Sequence, residues 1–147
     1  MHTVCNEQNN IANVPEMVDI QTTYGGGRFE QIGSYSRGKR VGPFVFIAGT
    51  TAIEPSGKLH APNDAYAQTI YAFARVEKAL SELGAAMTDV VRTRMYFSDM
   101  AAAGDAIRAH GEIFKGIDPV TTGCEVGLTT PGMMVEVEAD AVIASRV

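Results

Sequence analysis

Three carboxylates recur at every second position near the end of the chain, and carboxylates can exchange protons with water or pair with cations. They are Glu136, Glu138 and Asp140, and apolar residues from Val135 to Ala141 lie between them. Because successive side chains of a strand point to opposite faces, this alternation predicts a strand with one apolar and one acidic face. The apolar face requires a core, and the acidic face requires cations or water.

A second alternating segment, Val90 to Ser98, carries the complementary charge. Arg92, Arg94 and Tyr96 share one predicted face, and the other face carries Val91, Thr93 and Met95. If the two strands are neighbours, opposite charges meet across the ladder. The charged face is then either a solvated surface or part of a functional site.

The elements that must position these strands follow from turns and caps. Residues 1–27 are interpreted as a partly flexible extension, with a glycine run at its end. From residue 28 to residue 147 we expect one domain, beginning with strands at 29–36 and 40–48 that Gly38 joins. Asn63-Asp64 and Gly84 bound a predicted helix, and Ser98-Asp99 and Gly116 bound a second. In the second helix the predicted apolar face carries Ala103, Ile107, His110 and Phe114.

These elements predict an α+β fold, a two-layer sandwich with a mixed sheet of about six strands and two helices on one face. The second face of the sheet carries the complementary charges together with apolar neighbours. We expect copies of the same chain to cover that face.

The composition favours one soluble domain. The chain has 147 residues and a net charge of −5, and it lacks the run of about 18 to 20 apolar residues that a membrane helix needs. No secretory signal is recognisable, so a cytoplasmic location is expected. The two cysteines, Cys5 and Cys124, are far apart, with Cys124 in a predicted buried strand, and do not suggest a disulfide framework.

Nucleic acid is an unfavourable partner for an acidic chain with dispersed basic residues. The short basic cluster at 37–40 is interpreted as a solvated turn. The three histidines, His2, His60 and His110, have no metal-ligand spacing, so neither a metal nor another cofactor is expected. His110 is interpreted as a packed histidine.

Three further segments occur together with the acidic strand: Gly33-Ser-Tyr-Ser36, Val45-Phe-Ile-Ala-Gly-Thr50 and the strand segment from Asp89 to Asp99. In this order, the chain from about Gly33 to Ile143 resembles the Rid family, also called YjgF/YER057c/UK114. The resemblance implies a fold like that of chorismate mutase, a homotrimer, and ligand clefts between subunits. It also implies hydrolysis of reactive imines and enamines. Some relatives carry an endoribonuclease label, which the acidic composition does not support.

The resemblance assigns candidate site residues. A glutamate that positions or activates water corresponds to Glu136, and a pocket tyrosine corresponds to Tyr35. Tyr96 matches an aromatic pocket position, and Gly49 and Thr50 match the backbone near the pocket floor. The arginine that binds the substrate carboxylate in typical deaminases is replaced by Thr121, and Gly123 stands where many members have a cysteine or a small residue.

The loss of that arginine leaves alternatives open, because a threonine hydroxyl cannot replace a bidentate guanidinium. Arg94 could bind substrate instead, or Arg92 and Arg94 could pair with Glu138, Asp140 or a neighbouring subunit, which we favour. Glu136 is either an acid/base group with a raised pKa or a partner for arginine. The sequence therefore predicts a subgroup without the carboxylate-binding arginine, acting as a hydrolase or deaminase on an imine, an enamine or a related small metabolite. The alternative is a non-catalytic metabolite-binding or chaperone-like trimer.

Overall fold

The acidic strand lies near the centre of a six-stranded sheet in the computed structural model, which describes residues 17–144. The strands are β1 (Ile20–Thr23), β2 (Gly38–Val41), β3 (Phe44–Thr51), β4 (Val90–Phe97), β5 (Val120–Glu125) and β6 (Val135–Val142). Their spatial order is β1-β2-β3-β6-β4-β5. Only the β4–β5 pair is parallel among these strands, and the other neighbours are antiparallel. The predicted mixed sheet is confirmed.

The basic and acidic strands are direct neighbours, as predicted. In the β4–β6 register Arg92 is opposite Asp140, Arg94 is opposite Glu138, and Tyr96 is opposite Glu136. These side chains lie on the sheet face that carries no α2 or α3 helix, which we call the open face. Opposite charges therefore meet across the ladder, where cross-strand pairs stabilise a sheet.

The other face of the sheet packs on helices α2 (Ala65–Glu82) and α3 (Ala103–Ile113). The four apolar side chains that alternate in β6 from Val135 to Ala141 are at most 2% exposed. They belong to one core cluster with aromatic and aliphatic residues of the helices, including Phe73, Val76 and Leu80. Burial of this alternate set fixes the register of β6, since a shift by one residue would move the carboxylates into the core.

Helix α2 begins and ends where the sequence predicts. The Asp64 carboxylate accepts a hydrogen bond of 2.9 Å from the Ala67 amide, and Gly84 follows the helix with a φ of 76°. Asp99 similarly caps a short 3-10 turn, Met100–Ala102, that leads into α3. The predicted apolar face of α3 is wrong at Ile107, which is 57% exposed because Ala106 and Ala109 face the core instead.

The N-terminal region differs from the prediction. Residues 29–36, predicted as a strand, contain a short helix, α1 (Arg28–Gly33), which ends at Ser34 in a left-handed conformation. The Glu30 carboxylate accepts hydrogen bonds from the amides of Gly25 and Gly26, and this local contact outweighs the strand pattern. Strand β1 lies in the predicted extension, so the sheet begins before residue 28. Residues 1–16 of that extension lie outside the described residues.

Two further local expectations are corrected. A register shift between Val90 and Arg92 makes Val90, not Val91, the buried residue, and Val91 is 46% exposed. Cys124 is exposed in the single chain, because β5 is the edge strand and its side chain lies on the open face opposite α2 and α3. No helix within 17–144 is long and apolar enough to cross a membrane.

Candidate active site

The Glu136 carboxylate lies against the backbone of Gly49. Strand β3 has a register shift between Ile47 and Thr50, and this irregularity brings Gly49 beneath the side chain of Glu136 on the neighbouring strand. A Cβ atom on Gly49 would collide with Oε1 of Glu136 and lie 3.1 Å from its Cδ. With glycine at position 49, the Glu136 carboxylate occupies the space that a side chain would otherwise take.

The environment of Glu136 favours its protonated form. The side chain is half-buried, and no hydrogen bond or ion pair joins its carboxylate to another residue within 17–144. Burial raises the pKa of Glu136 above its ordinary value of 4.5, repulsion from Glu138 raises it further, and attraction to Arg37 opposes both. A carboxyl group with a raised pKa and no fixed partner is suited to accept and donate protons.

Arg37 holds the irregular segment of β3 in place. One of its terminal nitrogens, Nη1, donates to the Gly49 carbonyl at 2.9 Å and to the Thr50 hydroxyl at 2.8 Å. Its side chain is only 14% exposed, and its Nε is buried without an acceptor among the described residues. The prediction of a solvated turn at 37–40 is therefore wrong. Arg40 is also engaged, since it donates to the carbonyls of Gly42 and Leu83.

Buried Glu30 accompanies Arg37 below the site. Its Oε1 lies 3.8 Å from Nη2 of Arg37, and its side chain is 5% exposed. Both oxygens already accept from backbone amides of the glycine run, so Glu30 joins that loop to Arg37. Sequence reasoning missed both residues. The available signal was an arginine two positions after Tyr35 at the start of a strand, but its partners are distant in sequence.

A broad cleft of about 1150 Å³ opens beside this cluster. It brings Tyr35 and Gly49 together with Glu138 and Asp140, while α1 and the glycine run form one wall. Tyr35 is 44% exposed and can present its hydroxyl to a ligand. Thr50 does not line the cleft, because it is fully buried and its hydroxyl is bonded to Arg37 and to the Ala48 carbonyl. It therefore supports the cleft floor from behind.

Arg94 and Tyr96 are occupied by the carboxylates of β6. Nη1 of Arg94 lies 3.2 Å from Glu138 and 3.3 Å from Asp140. The Tyr96 hydroxyl donates to Glu138 at 3.0 Å, and burial together with this hydrogen bond raises the pKa of Tyr96. Arg94 thus forms the cross-strand ion pairs that the sequence favoured. Glu136 is the one carboxylate of this row in β6 that these two residues do not bind.

Thr121 lies on the other side of the sheet. The parallel register pairs it with Thr93, whose side chain points toward α3, and the two hydroxyls are 2.8 Å apart. Within one chain the structure therefore does not bring Thr121 to Glu136, Arg94 or Tyr96. The remaining candidates form two adjoining groups, one around Gly49 and one around Glu138.

Known proteins share the sequence family and the fold of this chain. The family model described as Endoribonuclease L-PSP matches residues 26–143. The chain belongs to this family. It is the family also called YjgF/YER057c/UK114 or Rid, and a crystal structure of its member Rv2704 from Mycobacterium tuberculosis has a TM-score of 0.76 to this chain. The two are 40% identical, and the match covers 85% of this chain and 100% of Rv2704.

Curated proteins are also similar to this chain. The uncharacterized protein SCO2049 of Streptomyces coelicolor is 32% identical over 83% of this chain and 91% of its own length. A mouse protein named 2-iminobutanoate/2-iminopropanoate deaminase is 27% identical over 76% of this chain and 82% of its own length. Within residues 17–144, no three histidine, cysteine, aspartate or glutamate side chains are grouped so that they could hold a metal ion.

The raised pKa of Glu136 predicts a specific dependence of stability on pH. The folded protein keeps this proton at pH values where the unfolded chain, with a pKa near 4.5, has lost it. The free energy of unfolding therefore falls as pH rises from the unfolded to the folded pKa, with a slope of at most about 1.4 kcal/mol per pH unit from this group. We expect Glu136→Gln to remove that slope, measured by urea unfolding at one fixed protein concentration. Equal pH profiles for the parent and the variant would contradict the shifted pKa.

Substitution of Gly49 tests the steric origin of this environment. Gly49→Ala should displace the flexible end of Glu136 into solvent, so the variant stays folded but loses the pH-dependent stability of Glu136. Gly104→Ala on α3 is the matched control, because a Cβ there would meet nothing within 4 Å. The control should keep the parental pH dependence and gain up to about 1 kcal/mol of helix stability. A Gly49→Ala profile like that of the parent would show that Gly49 does not position Glu136.

Proposed function

We propose that this Rid-family chain hydrolyses a reactive imine, an enamine or a related small metabolite, with Glu136 as the acid/base group that activates water. One observation supports this most strongly: the Glu136 carboxyl has a raised pKa, has no fixed partner among the described residues, and lies against Gly49, which lines the cleft although Glu136 itself does not. A carboxylate that served only the sheet would pair with a cation, as Glu138 and Asp140 do with Arg94.

The reaction needs one group that both accepts and donates a proton. Water adds to the carbon of a protonated imine while ionised Glu136 takes one proton from that water, which gives a neutral carbinolamine. Protonated Glu136 then gives this proton to the nitrogen, the C–N bond breaks, and an amine or ammonia leaves as the carbonyl forms and the hydroxyl proton passes to Glu136 and then to solvent. A pKa above the ordinary value brings the two protonation states of Glu136 closer to balance near neutral pH.

The neighbours of Glu136 suit the binding of a small ligand. Gly49 exposes backbone at the cleft, so a flat C=N group can approach closely. Tyr35 also lines the cleft, so its hydroxyl can orient the ligand. Arg37 contributes positive potential near Glu136, but its Nη1 does not bind the ligand because it already donates to Gly49 and Thr50.

A homotrimer with clefts between subunits is part of the proposal. The open face leaves Phe44 and Phe46 49% and 48% exposed in the single chain, next to the charged residues of β6. A second copy of the chain would cover these rings, because large exposed apolar side chains on a sheet favour association. We further propose that the edge of β5, where Thr121 is exposed, lies beside the Gly49 cleft of another subunit.

The substrate we propose lacks a simple carboxylate anchor. The relative named 2-iminobutanoate/2-iminopropanoate deaminase takes its name from imino acids, whereas Thr121 stands at the position where the family resemblance places a carboxylate-binding arginine. A threonine hydroxyl forms a neutral hydrogen bond, which is weaker than a bidentate ion pair. Arg94, already paired with Glu138 and Asp140, does not replace it.

A second candidate function is a non-catalytic, metabolite-binding or chaperone-like trimer. The replacement of arginine by Thr121 favours this function, because a protein that only binds a metabolite does not have to position an imino acid for attack by water. In that case Glu136 would contribute to ligand affinity or trimer stability but not to turnover.

The decay of freshly generated imines and enamines, both acidic and uncharged, distinguishes the two functions. We expect the parent protein to accelerate decay of at least one uncharged imine and Glu136→Gln to lose about 100-fold or more, as is usual when a general acid/base is removed. Glu77→Gln, a matched change at an exposed position of α2, should keep full activity. Mass measurements must show the same oligomer for all three proteins. No acceleration of any imine by the parent would contradict hydrolysis and favour the binding module.

A further inference from the structure

A chain of three hydrogen-bonding side chains runs from helix α3 across the helix-facing side of β4 to the exposed edge strand β5. Nε2 of His110 lies 2.8 Å from the Thr93 hydroxyl, and that hydroxyl lies 2.8 Å from the Thr121 hydroxyl. Thr93 is fully buried and His110 is 9% exposed, whereas Thr121 is exposed. The chain therefore joins a buried imidazole to an exposed residue of the edge strand.

Packing fixes the imidazole in this chain. The His110 ring lies 4.6 Å from the ring of Phe114 and 5.7 Å from the ring of Phe73, measured between centroids. Burial lowers the pKa of His110, so the ring is neutral near pH 7 and carries one N–H. Which nitrogen carries that proton decides the direction of every hydrogen bond in the chain.

The direction of these hydrogen bonds decides whether the Thr121 hydroxyl can donate to a ligand or only accept from it. If Nε2 of His110 carries the proton, it donates to Thr93, Thr93 donates to Thr121, and the Thr121 proton is free for a ligand. If Nδ1 carries it, Thr93 donates to Nε2 and accepts from Thr121, so Thr121 can only accept from a ligand. A single Thr93 proton cannot serve both neighbours.

We propose that His110 and Thr93 are positioning residues that orient Thr121 as a hydrogen-bond donor, and that the ligand presents an uncharged acceptor there, such as an amide or ester carbonyl. This inference rests on the proposed function in one respect, namely that Thr121 faces the cleft of a neighbouring subunit. A neutral donor discriminates between ligands because a carboxylate buried against it would lack a cation. The ligand class is then an imine or enamine of an amide or ester, rather than of a free acid.

The first test measures the proton directly and needs no ligand. Long-range ¹H–¹⁵N NMR of the full-length protein reports the tautomer of His110, and we expect the Nε2–H form. Thr121→Val removes the acceptor of the Thr93 proton, so the population should shift toward Nδ1–H. Thr122→Val, the same change one residue away, should leave the tautomer unchanged. An Nδ1–H parent, or a tautomer that does not respond to Thr121→Val, would overturn the proposal.

The second test measures ligand preference with unreactive probes by calorimetry. The parent should bind 2-oxobutanamide more tightly than 2-oxobutanoate, and Thr121→Val should weaken amide binding about tenfold, the equivalent of one hydrogen bond. Thr93→Val should do the same, and Thr93→Ser, which keeps the hydroxyl, should restore binding. Thr122→Val should bind like the parent. Preference for the acid, or no binding of the amide, would refute this inference. If the parent binds the amide but does not accelerate the decay of any imine, only the proposed function is refuted.

Discussion

The close approach of Glu136 to Gly49 is the constraint on which the site depends. Alternation in β6 commits Val135 and Val137 to the core, so Glu136 must lie on the open face. The irregularity in β3 then places a residue without a side chain beneath it. Arg37 holds that segment by donating to the Gly49 carbonyl. The carboxyl group is thereby desolvated by backbone rather than neutralised by a cation, which is the condition for a raised pKa.

The same sheet face shows why Glu136 differs from the other carboxylates of its strand. Arg94 bridges Glu138 and Asp140, and the Tyr96 hydroxyl donates to Glu138. These contacts stabilise two charges on neighbouring positions and leave a residual repulsion on Glu136. The ion pairs are part-exposed, so their direct contribution to stability is modest. Their larger consequence is electrostatic, because Glu138 and Asp140 are paired with Arg94 whereas Glu136 is not.

Much of this layout could be predicted from local pattern. Alternation in β4 and β6 predicted their pairing and the meeting of Arg94 with Glu138, and the Asp64 cap and Gly84 predicted α2. The failures lie where side-chain contacts to the backbone, or the register of a strand pair, decide the structure. Helix α1 depends on hydrogen bonds from the glycine run to Glu30. The burial of Arg37 depends on a carbonyl acceptor in β3, which a short run of basic residues in the sequence does not indicate. The side of the sheet on which Thr121 lies depends on the β4–β5 register, which composition does not specify.

Titration of the Glu136 carboxyl by ¹³C NMR tests the central claim most directly. The account predicts a pKa above 4.5 in the parent, and a higher value in Arg37→Gln, because the positive charge of Arg37 lowers the pKa of this carboxyl. A parent value at or below 4.5 would mean that Glu136 is solvated or paired like its neighbours, and would contradict its assignment as the acid/base group.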